Sequence, residues 1–563
     1  MTEDVVPRVP QGGLSQVRGE TDGALSDSTV HALLAAAARR WPQRDAAVFV
    51  AQAVRLTWRE LLDEADAVAA GLWALGVRRG DRVGIWSPNR AEWLLTQFAT
   101  ARIGAILVNI NPAYRLAELE HALTLSGVVL LVTAAAFKST NYLELLRNLG
   151  VGSDEGPSRL PSLRRVVRLG DEATAGMTNW RQMLALGRQP AEALPDEREL
   201  RCHDAINIQY TSGTTGLPKG ATLTHYNIVN NAIATGRCMH FSEADALCIP
   251  VPLYHCFGMV LGVLACAATG AKMVFPGEGF DPGATLAAVE AERCTALHGV
   301  PTMFIAELDH ADFARFDLSS LRTGIMAGAP CPIEVMKRVE QQMHMHEVTI
   351  GYGMTETSPL SFQGDTDDPL DKRVTTVGRV LPHLEVKIVD ADGGVVPVGE
   401  KGELCTKGYS VMQGYWNDLE RTAEAVRDGW MHSGDLATLD PQGYCHIVGR
   451  VKDMVIRGGE NVYPREIEEF LFRHPKVAAV QVFGVPDARY GEEVAAWIIV
   501  RSGQNCTEDE IRDFCRDQIA HYKVPRYIRF VEALPVTVTG KAQKFVMREA
   551  MMRELGLTAA ATA

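Results

Sequence analysis

Residues 210–224 read YTSGTTGLPKGATLT, and their setting decides how the chain is organised. Ile206 and Ile208 precede them as an alternating β-branched pair, so a strand runs into a loop of Gly, Ser and Thr. Such a loop offers hydroxyls and bare backbone amides without bulky walls, the means by which proteins hold polyphosphate. Its spacing excludes a Walker loop: Gly213 and Gly216 are three apart, and Lys219 is followed by Gly220, not by Ser or Thr. Taken alone, the same residues also suit a Gly/Ser hairpin with one solvated lysine.

Outward from this loop, apolar runs alternate with helix-like segments between residues 30 and 300, as in 82–86 before the helix after Asn89, or at 128–132. Alternation of this kind predicts βαβ units with parallel sheets. Residues 159–201 are polar, with repeated Pro, Gly, Arg and Glu, and are expected to form a surface excursion between two such units. From 375 to 448 short β segments broken by Gly and Asp indicate a small β subdomain. Beyond residues 449–453 (GRVKD) the pattern changes again: Pro464 opens a helix in which Ile467, Phe470 and Leu471 share a face, and Thr507 with Glu510 forms a capping box ahead of Ile511 and Phe514. Two domains are expected, residues 1–451 and 452–563, with Lys452 and Asp453 as the hinge.

Composition bounds the function. The chain has 563 residues, 47% hydrophobic and 22% charged, ordinary for a soluble globular protein too long for one core. No apolar run reaches the roughly 20 residues that span a bilayer, and the start (MTEDVVPRVPQGG) lacks a basic region followed by an apolar one, so no signal peptide is expected. A net charge of −13 argues against nucleic acid or an anionic membrane as a partner. The 11 cysteines are scattered without a C-x-x-C pair, which suits reduced thiols and a cytoplasmic protein. No repeat or heptad specifies an assembly; a homodimer is compatible.

Five motifs occur in order: TSGTTGLPKG (211–220), GYGMTETSP (351–359), SGD (433–435), GRVKDMVIRGGENVYPREIE (449–468) and TGKAQK (539–544). In order and spacing they resemble the adenylate-forming superfamily, and NIQYTSGTTGLPKGATLTHYNIVNN with KDMVIRGGENVYPREIE is most similar to its medium-chain fatty acyl-CoA synthetases. The resemblance implies an α/β fold: a large N-terminal domain of two doubly wound α/β subdomains plus a small β-barrel-like subdomain, then a small mobile α+β C-terminal domain. It implies ATP, Mg2+ and CoA as the small molecules that act with a carboxylic acid, which is joined to AMP and then passed to a thiol. A carboxylic acid is already ionised at pH 7, so the first step needs cations and aligned donors more than a general base.

By that resemblance Thr211, Ser212, Gly213, Thr214, Thr215 and Gly216 wrap the β- and γ-phosphates, with Lys219 nearby. Glu356 is the magnesium ligand and Thr355 bonds the α-phosphate. Tyr352 packs on adenine within the run Gly351, Tyr352, Gly353, Met354, while Gly328, Ala329 and Pro330 offer backbone edges to the base. Asp435 and Arg450 reach the ribose. Lys541 bridges the carboxylate and the α-phosphate during adenylation; rotation about Lys452 then brings in Arg457, Gly458, Gly459 and Glu460 on the CoA side.

The acyl pocket is expected from His255, Phe257, Gly258, Val300, Thr302 and Met303, a lining in which only His255 is able to carry charge; Gly258 and Gly328 are read as leaving depth. His255 is also placed with Lys541, Thr355 and Glu356 among the catalytic candidates. An apolar tail follows, since burial gains about 0.8 kcal/mol per methylene. The leading expectation is an ATP-dependent fatty acid:CoA ligase; an aryl or branched-chain acid:CoA ligase, or an acyl-AMP ligase loading a carrier protein, are the alternatives.

Overall fold

The computed structural model describes residues 7–152, 158–211, 218–458, 460–487, 489–537 and 540–557. Two large sheets form the N-terminal part. In the first, Arg82–Trp86, Ile106–Asn109, Leu130–Thr133 and Arg165–Arg168 are parallel, and Ala205–Thr211 joins them beside Ile106–Asn109. Val83, Ile85, Leu107, Leu130 and Val132 are almost fully buried, as strands covered on both faces require. The second sheet aligns Asp45–Phe49, Lys272–Phe275, Ala246–Cys248, Ala296–Leu297, Thr323–Met326 and Glu347–Gly353 in parallel. One continuous core joins both sheets through helices Val30–Arg40, Trp58–Ala74, Ala91–Ile103 and His225–Cys238.

A third, antiparallel sheet contains Leu384–Val389, Gly402–Gly408, Trp430–Leu439 and Cys445–Arg450, the small β unit expected from 375–448. It also recruits Gln16–Arg18, which pairs with Leu384–Val389 from the far end of the chain. Residues 159–201 are not a mere surface excursion. Arg165–Arg168 and Thr178–Asn179 extend the first sheet, and helix Trp180–Arg188 docks on Trp58–Ala74. The approach is close: a Cβ on Gly187 would lie 1.8 Å from the Ala67 carbonyl oxygen. Val166, Val167, Trp180 and Met183 supply the buried face that the surrounding charges obscured.

After the short helical turn Val451–Asp453, a five-stranded sheet of Val455–Arg457, Glu460–Val462, Val477–Asp487, Gly491–Val500 and Tyr527–Phe530 has its own core. Ile467 and Leu471 of helix Pro464–Leu471 are buried in it, with Phe470 packed against it, as their shared face predicts. The capping box is present: Glu510 N–H donates to Thr507 Oγ1 at 3.2 Å and Thr507 N–H to Glu510 Oε2 at 2.9 Å. Helix Lys544–Leu555 covers the other face through Met547 and Met551. No helix among the described residues is long and apolar enough to cross a membrane.

Candidate active site

Strand Ala205–Thr211 returns as Lys219–Thr224, with Thr211 opposite Lys219 across the mouth of the glycine-rich hairpin. Ser212, Gly213, Thr214, Thr215 and Gly216 lie outside the described residues. Gly414–Tyr415 pairs with the returning strand, which sets the Tyr415 ring beneath Lys219, whose Nζ is 4.7 Å from the ring centroid. Tyr415 donates its hydroxyl to Glu356 Oε1 at 2.8 Å, and Met412 N–H donates to the Glu356 carbonyl at 2.9 Å. Glu356 comes from the other sheet: it and Thr355 sit in a tight turn after Glu347–Gly353, both buried. The turn requires glycine at 353, where a Cβ would lie 1.8 Å from the Pro359 carbonyl oxygen. Glu356 is thereby fixed between the sheets, its other oxygen without a hydrogen-bond partner among the described residues.

A second group is held by the third sheet. Asp435 and Arg450 are direct cross-strand partners, with Arg450 Nε 3.3 Å from Asp435 Oδ1. Tyr352, three residues ahead of Thr355, donates its hydroxyl to Asp435 Oδ2 at 2.6 Å. Burial first, then the Asp435 charge, pushes the Tyr352 phenol well above its usual range, so it stays a donor at neutral pH. Gly328, Ala329 and Pro330 follow strand Thr323–Met326, with Gly328 and Pro330 exposed. Gly328 has φ of +84°, and a Cβ there would sit 3.2 Å from Val300 Cγ1; its missing side chain serves backbone geometry beside Val300.

Lys541 joins this group from the C-terminal part. Its backbone N–H donates to Thr537 Oγ1 at 3.1 Å and its carbonyl accepts Thr537 N–H at 2.8 Å, closing a turn in which Gly540 has φ of +77°. The turn is pressed onto the N-terminal part: a Cβ on Gly540 would meet Val300 Cγ2 at 2.7 Å and Thr302 Oγ1 at 2.8 Å. Desolvation, then Arg450, lowers the Lys541 ammonium to about 8, against the opposing pull of Asp435. At pH 7 it remains mostly a cation, one poised to gain from an arriving anion.

On the acyl side, His255 precedes the wide helical segment Phe257–Leu264. Phe257 N–H donates to His255 Nδ1 at 3.2 Å, so the ring proton sits on Nε2. Burial, then the Lys541 charge, lowers His255 to about 4, so the one residue expected to carry charge in this lining is neutral at pH 7. Phe257 in this segment, and Val300 and Met303, are buried apolar residues. Two expected pocket residues differ. Gly258 leaves no depth, because the Pro252 carbonyl oxygen fills the space 2.3 Å from where its Cβ would be. Thr302 is exposed and faces Gly540, so it meets the Lys541 turn.

The hairpin carrying Arg457, Gly458 and Glu460 stands apart from this group, and Gly459 lies outside the described residues. Arg457 pairs with Glu493 through two bonds of 2.7 and 2.9 Å, and its guanidinium lies 4.7 Å from the Tyr490 ring. Ile456 beside it is 51% exposed. Lys452 lies in the turn Val451–Asp453, its ammonium lowered by desolvation and by Arg450. Sequence reasoning missed Tyr415, which the GYW run at 414–416 signals only as a Gly-flanked aromatic. It also missed Gln209, whose side-chain oxygen accepts Cys256 N–H at 3.0 Å and anchors the segment after His255.

The chain matches the AMP-binding enzyme model over residues 34–416 and the AMP-binding enzyme C-terminal domain over 466–541. It is 47% identical to the mitochondrial medium-chain acyl-CoA ligase ACSF2 of Danio rerio, over 98% of this chain and 93% of that one. Its identity to the Homo sapiens protein of the same name is 42%, over 98% and 92%. Among solved structures, the anthranilate CoA ligase AuaEII in complex with anthranoyl-AMP is similar with a TM-score of 0.85 and 27% identity, covering 95% of this chain and 99% of that one. ATP-bound MatB from Rhodopseudomonas palustris has a TM-score of 0.81 and 30% identity, covering 94% and 100%.

Proposed function

The chain belongs to the AMP-binding enzyme family, as an acyl-CoA synthetase of the adenylate-forming superfamily, and from that premise we propose that it converts a medium-chain fatty acid to its CoA thioester. A carboxylate oxygen attacks the α-phosphorus of ATP, the bond to the β-phosphate oxygen breaks, and pyrophosphate leaves. The CoA sulfur then attacks the acyl carbon, its proton is lost, and AMP departs. Fatty chain length rests on the relatives' names and on the apolar Phe257, Val300 and Met303.

The observation that carries this reading is the packing of the Gly540–Lys541 turn against Val300 and Thr302, within electrostatic reach of Arg450, Asp435 and His255. In our reading Asp435 and Arg450 hold the ribose, Tyr352 and the edges of Gly328, Ala329 and Pro330 frame the base, and Thr355 bonds the α-phosphate. Thr211 and Lys219, opposite each other where strands Ala205–Thr211 and Lys219–Thr224 pair, flank the β- and γ-phosphates. Lys541 draws the acid and the α-phosphate together, cancelling charge as the pentacoordinate phosphorus forms. Magnesium fits Glu356, a buried carboxylate with one oxygen held by Tyr415, and the ion prefers one or two carboxylates with phosphate oxygens. Bound there, it supplies charge neutralisation at the phosphates. Rotation about Lys452, between residues 1–451 and 452–563, then withdraws Lys541 and presents Arg457 to Glu460 for the thiol. Eleven free thiols suit a reducing compartment such as the cytoplasm.

An aromatic acid is a second reading, favoured by the similarity to an anthranilate ligase. Purified protein with ATP, Mg2+, CoA and a panel of C4 to C18 and aromatic acids tests both. Highest kcat/KM on a medium straight-chain acid supports the first reading, a preference for aryl acids the second, and release of AMP with none of them refutes both.

A further inference from the structure

Along the strand that carries Asp435 lies a cluster that the reaction does not use. Strands Gly402–Gly408 and Trp430–Leu439 place Cys405 directly opposite His432, and Glu403, two residues earlier, shares the Cys405 face. His432 Nδ1 is 2.9 Å from Glu403 Oε2 and 3.4 Å from Cys405 Sγ. The nitrogen, the sulfur and a carboxylate oxygen all lie within 4.8 Å of one another. We propose that Glu403, Cys405 and His432 form a binding site for a thiophilic divalent cation, zinc being the type, with solvent as the fourth ligand.

The chemistry of the three donors selects the ion. Thiolate, imidazole and carboxylate together suit zinc and exclude magnesium, which takes oxygen ligands. Bonds of about 2.0–2.3 Å in a tetrahedron set ligand atoms roughly 3.3–3.7 Å apart, so modest side-chain rotations suffice from the observed spacing. Cys405 closes the buried side, while His432 and Glu403 keep 17% and 27% side-chain exposure and leave a path from solvent. On binding, the Cys405 thiol releases its proton to solvent and the imidazole holds its remaining proton on Nε2.

Occupancy reaches the nucleotide side through Glu403. Its Oε1 accepts Gly434 N–H at 2.9 Å, and Gly434 precedes Asp435, which in turn holds Tyr352 and Arg450. An ion held by Oε2 draws charge from the carboxylate and weakens the Oε1 latch on Gly434, which loosens Asp435, so zinc inhibits adenylate formation; this clause rests on the function proposed above. Cobalt(II) titrated into the full chain decides the binding. The expected result is a thiolate-to-cobalt charge-transfer band reaching full intensity at one equivalent, chased away by zinc and lost in Cys405→Ala. His432→Gln, which keeps the thiol, gives the same loss and stands in if Cys405→Ala does not fold by circular dichroism. No band in the unmodified protein, or an undiminished band in a folded variant, overturns the site. Acid-dependent pyrophosphate exchange tests the coupling: equimolar zinc abolishes most of the rate in the unmodified protein and spares Cys405→Ala, whereas equal inhibition of both overturns it. Absence of exchange without zinc defeats the assigned function and leaves the cobalt result to decide the site.

Discussion

The two halves of the cleft are held by different means. On the N-terminal side each polar group is tied to another element: Glu356 to Tyr415, Asp435 to Tyr352 and Arg450, and Gly434 to Glu403. Glu356–Tyr415 and Asp435–Tyr352 cross between sheets, and the other two tie neighbouring strands of the third sheet, so the groups are in place before any ligand arrives. On the C-terminal side the Lys541 turn is closed on itself, and its neighbours across the cleft are the side chains of Val300 and Thr302. Among the described residues, polar ties across the boundary include Arg465 Nη1 donating to the Ile447 carbonyl at 2.7 Å, Ile333 N–H reaching Glu469 at 3.4 Å, and Lys401 lying over Tyr463. Net hydrogen-bond contributions of about 1 kcal/mol make such a seam easy to open. In the proposed reading one side is a prebuilt receptor and the other a removable cation.

The strongest way to break that comparison is to remove the cation. Lys541→Ala is expected to lower acyl-adenylate formation about 10²- to 10³-fold, the range for losing one preorganised stabiliser of developing charge, while thioester formation from supplied acyl-AMP changes far less. Pyrophosphate exchange and CoA-ester release, measured separately, check this. The pH profile sharpens it. With Lys541 lowered to about 8, kcat/KM for adenylation falls as pH rises through that value, because the free enzyme loses the ammonium. Lys541→Arg, which stays charged, abolishes this descending limb whatever its absolute rate.

A smaller effect probes the prebuilt side. Tyr415→Phe deletes the donor to Glu356 Oε1, worth about 1 kcal/mol, and is expected to raise the half-saturating Mg2+-ATP concentration about five-fold with the acid's KM unchanged. Titration of Mg2+-ATP at saturating acid measures it. An unaltered value would show that Glu356 needs no such support.

Much of this contrast was readable before the fold. Largely apolar runs such as 82–86 and 128–132 announce parallel strands, and Glu356, Asp435 and Lys541 stand inside motifs specific enough to single them out. What remained hidden depends on distant partners. Gln16–Arg18 becomes a strand only by pairing with residues 385–387, and Tyr415 reaches Glu356 only because a short strand crosses to another sheet. The resemblance names Gly258 and Thr302 as pocket lining but carries no side-chain direction; the backbone of Pro252 occupies one space and Gly540 faces the other. The polar texture of 159–201 masked Trp180 and Met183, whose burial needs the neighbouring helix Trp58–Ala74.

The smallest effect on activity lies behind the cleft. Glu307, in helix Pro301–Leu308, is fully buried, neither carboxylate oxygen has a partner among the described residues, and burial pushes its carboxyl well above the usual range. A raised folded pKa means stability is lost as pH rises above about 4.5, the unfolded value. Glu307→Met is therefore expected to stabilise the protein by about 1–3 kcal/mol, more at pH 8 than at pH 5, with adenylation nearly unchanged. Denaturant unfolding at the two pH values reads the difference.

The central claim is that one cleft serves two half-reactions because Lys541 enters and leaves it about the 452 hinge. Lys452→Pro fixes φ near −65° in the connecting turn and keeps the side chains of Tyr352, Asp435, Arg450 and Lys541. Single-turnover assays on this variant should give acyl-AMP from acid and ATP at the unmodified rate, with transfer of the acyl group to CoA severely slowed. Equal loss of both half-reactions, or equal retention of both, would contradict the account.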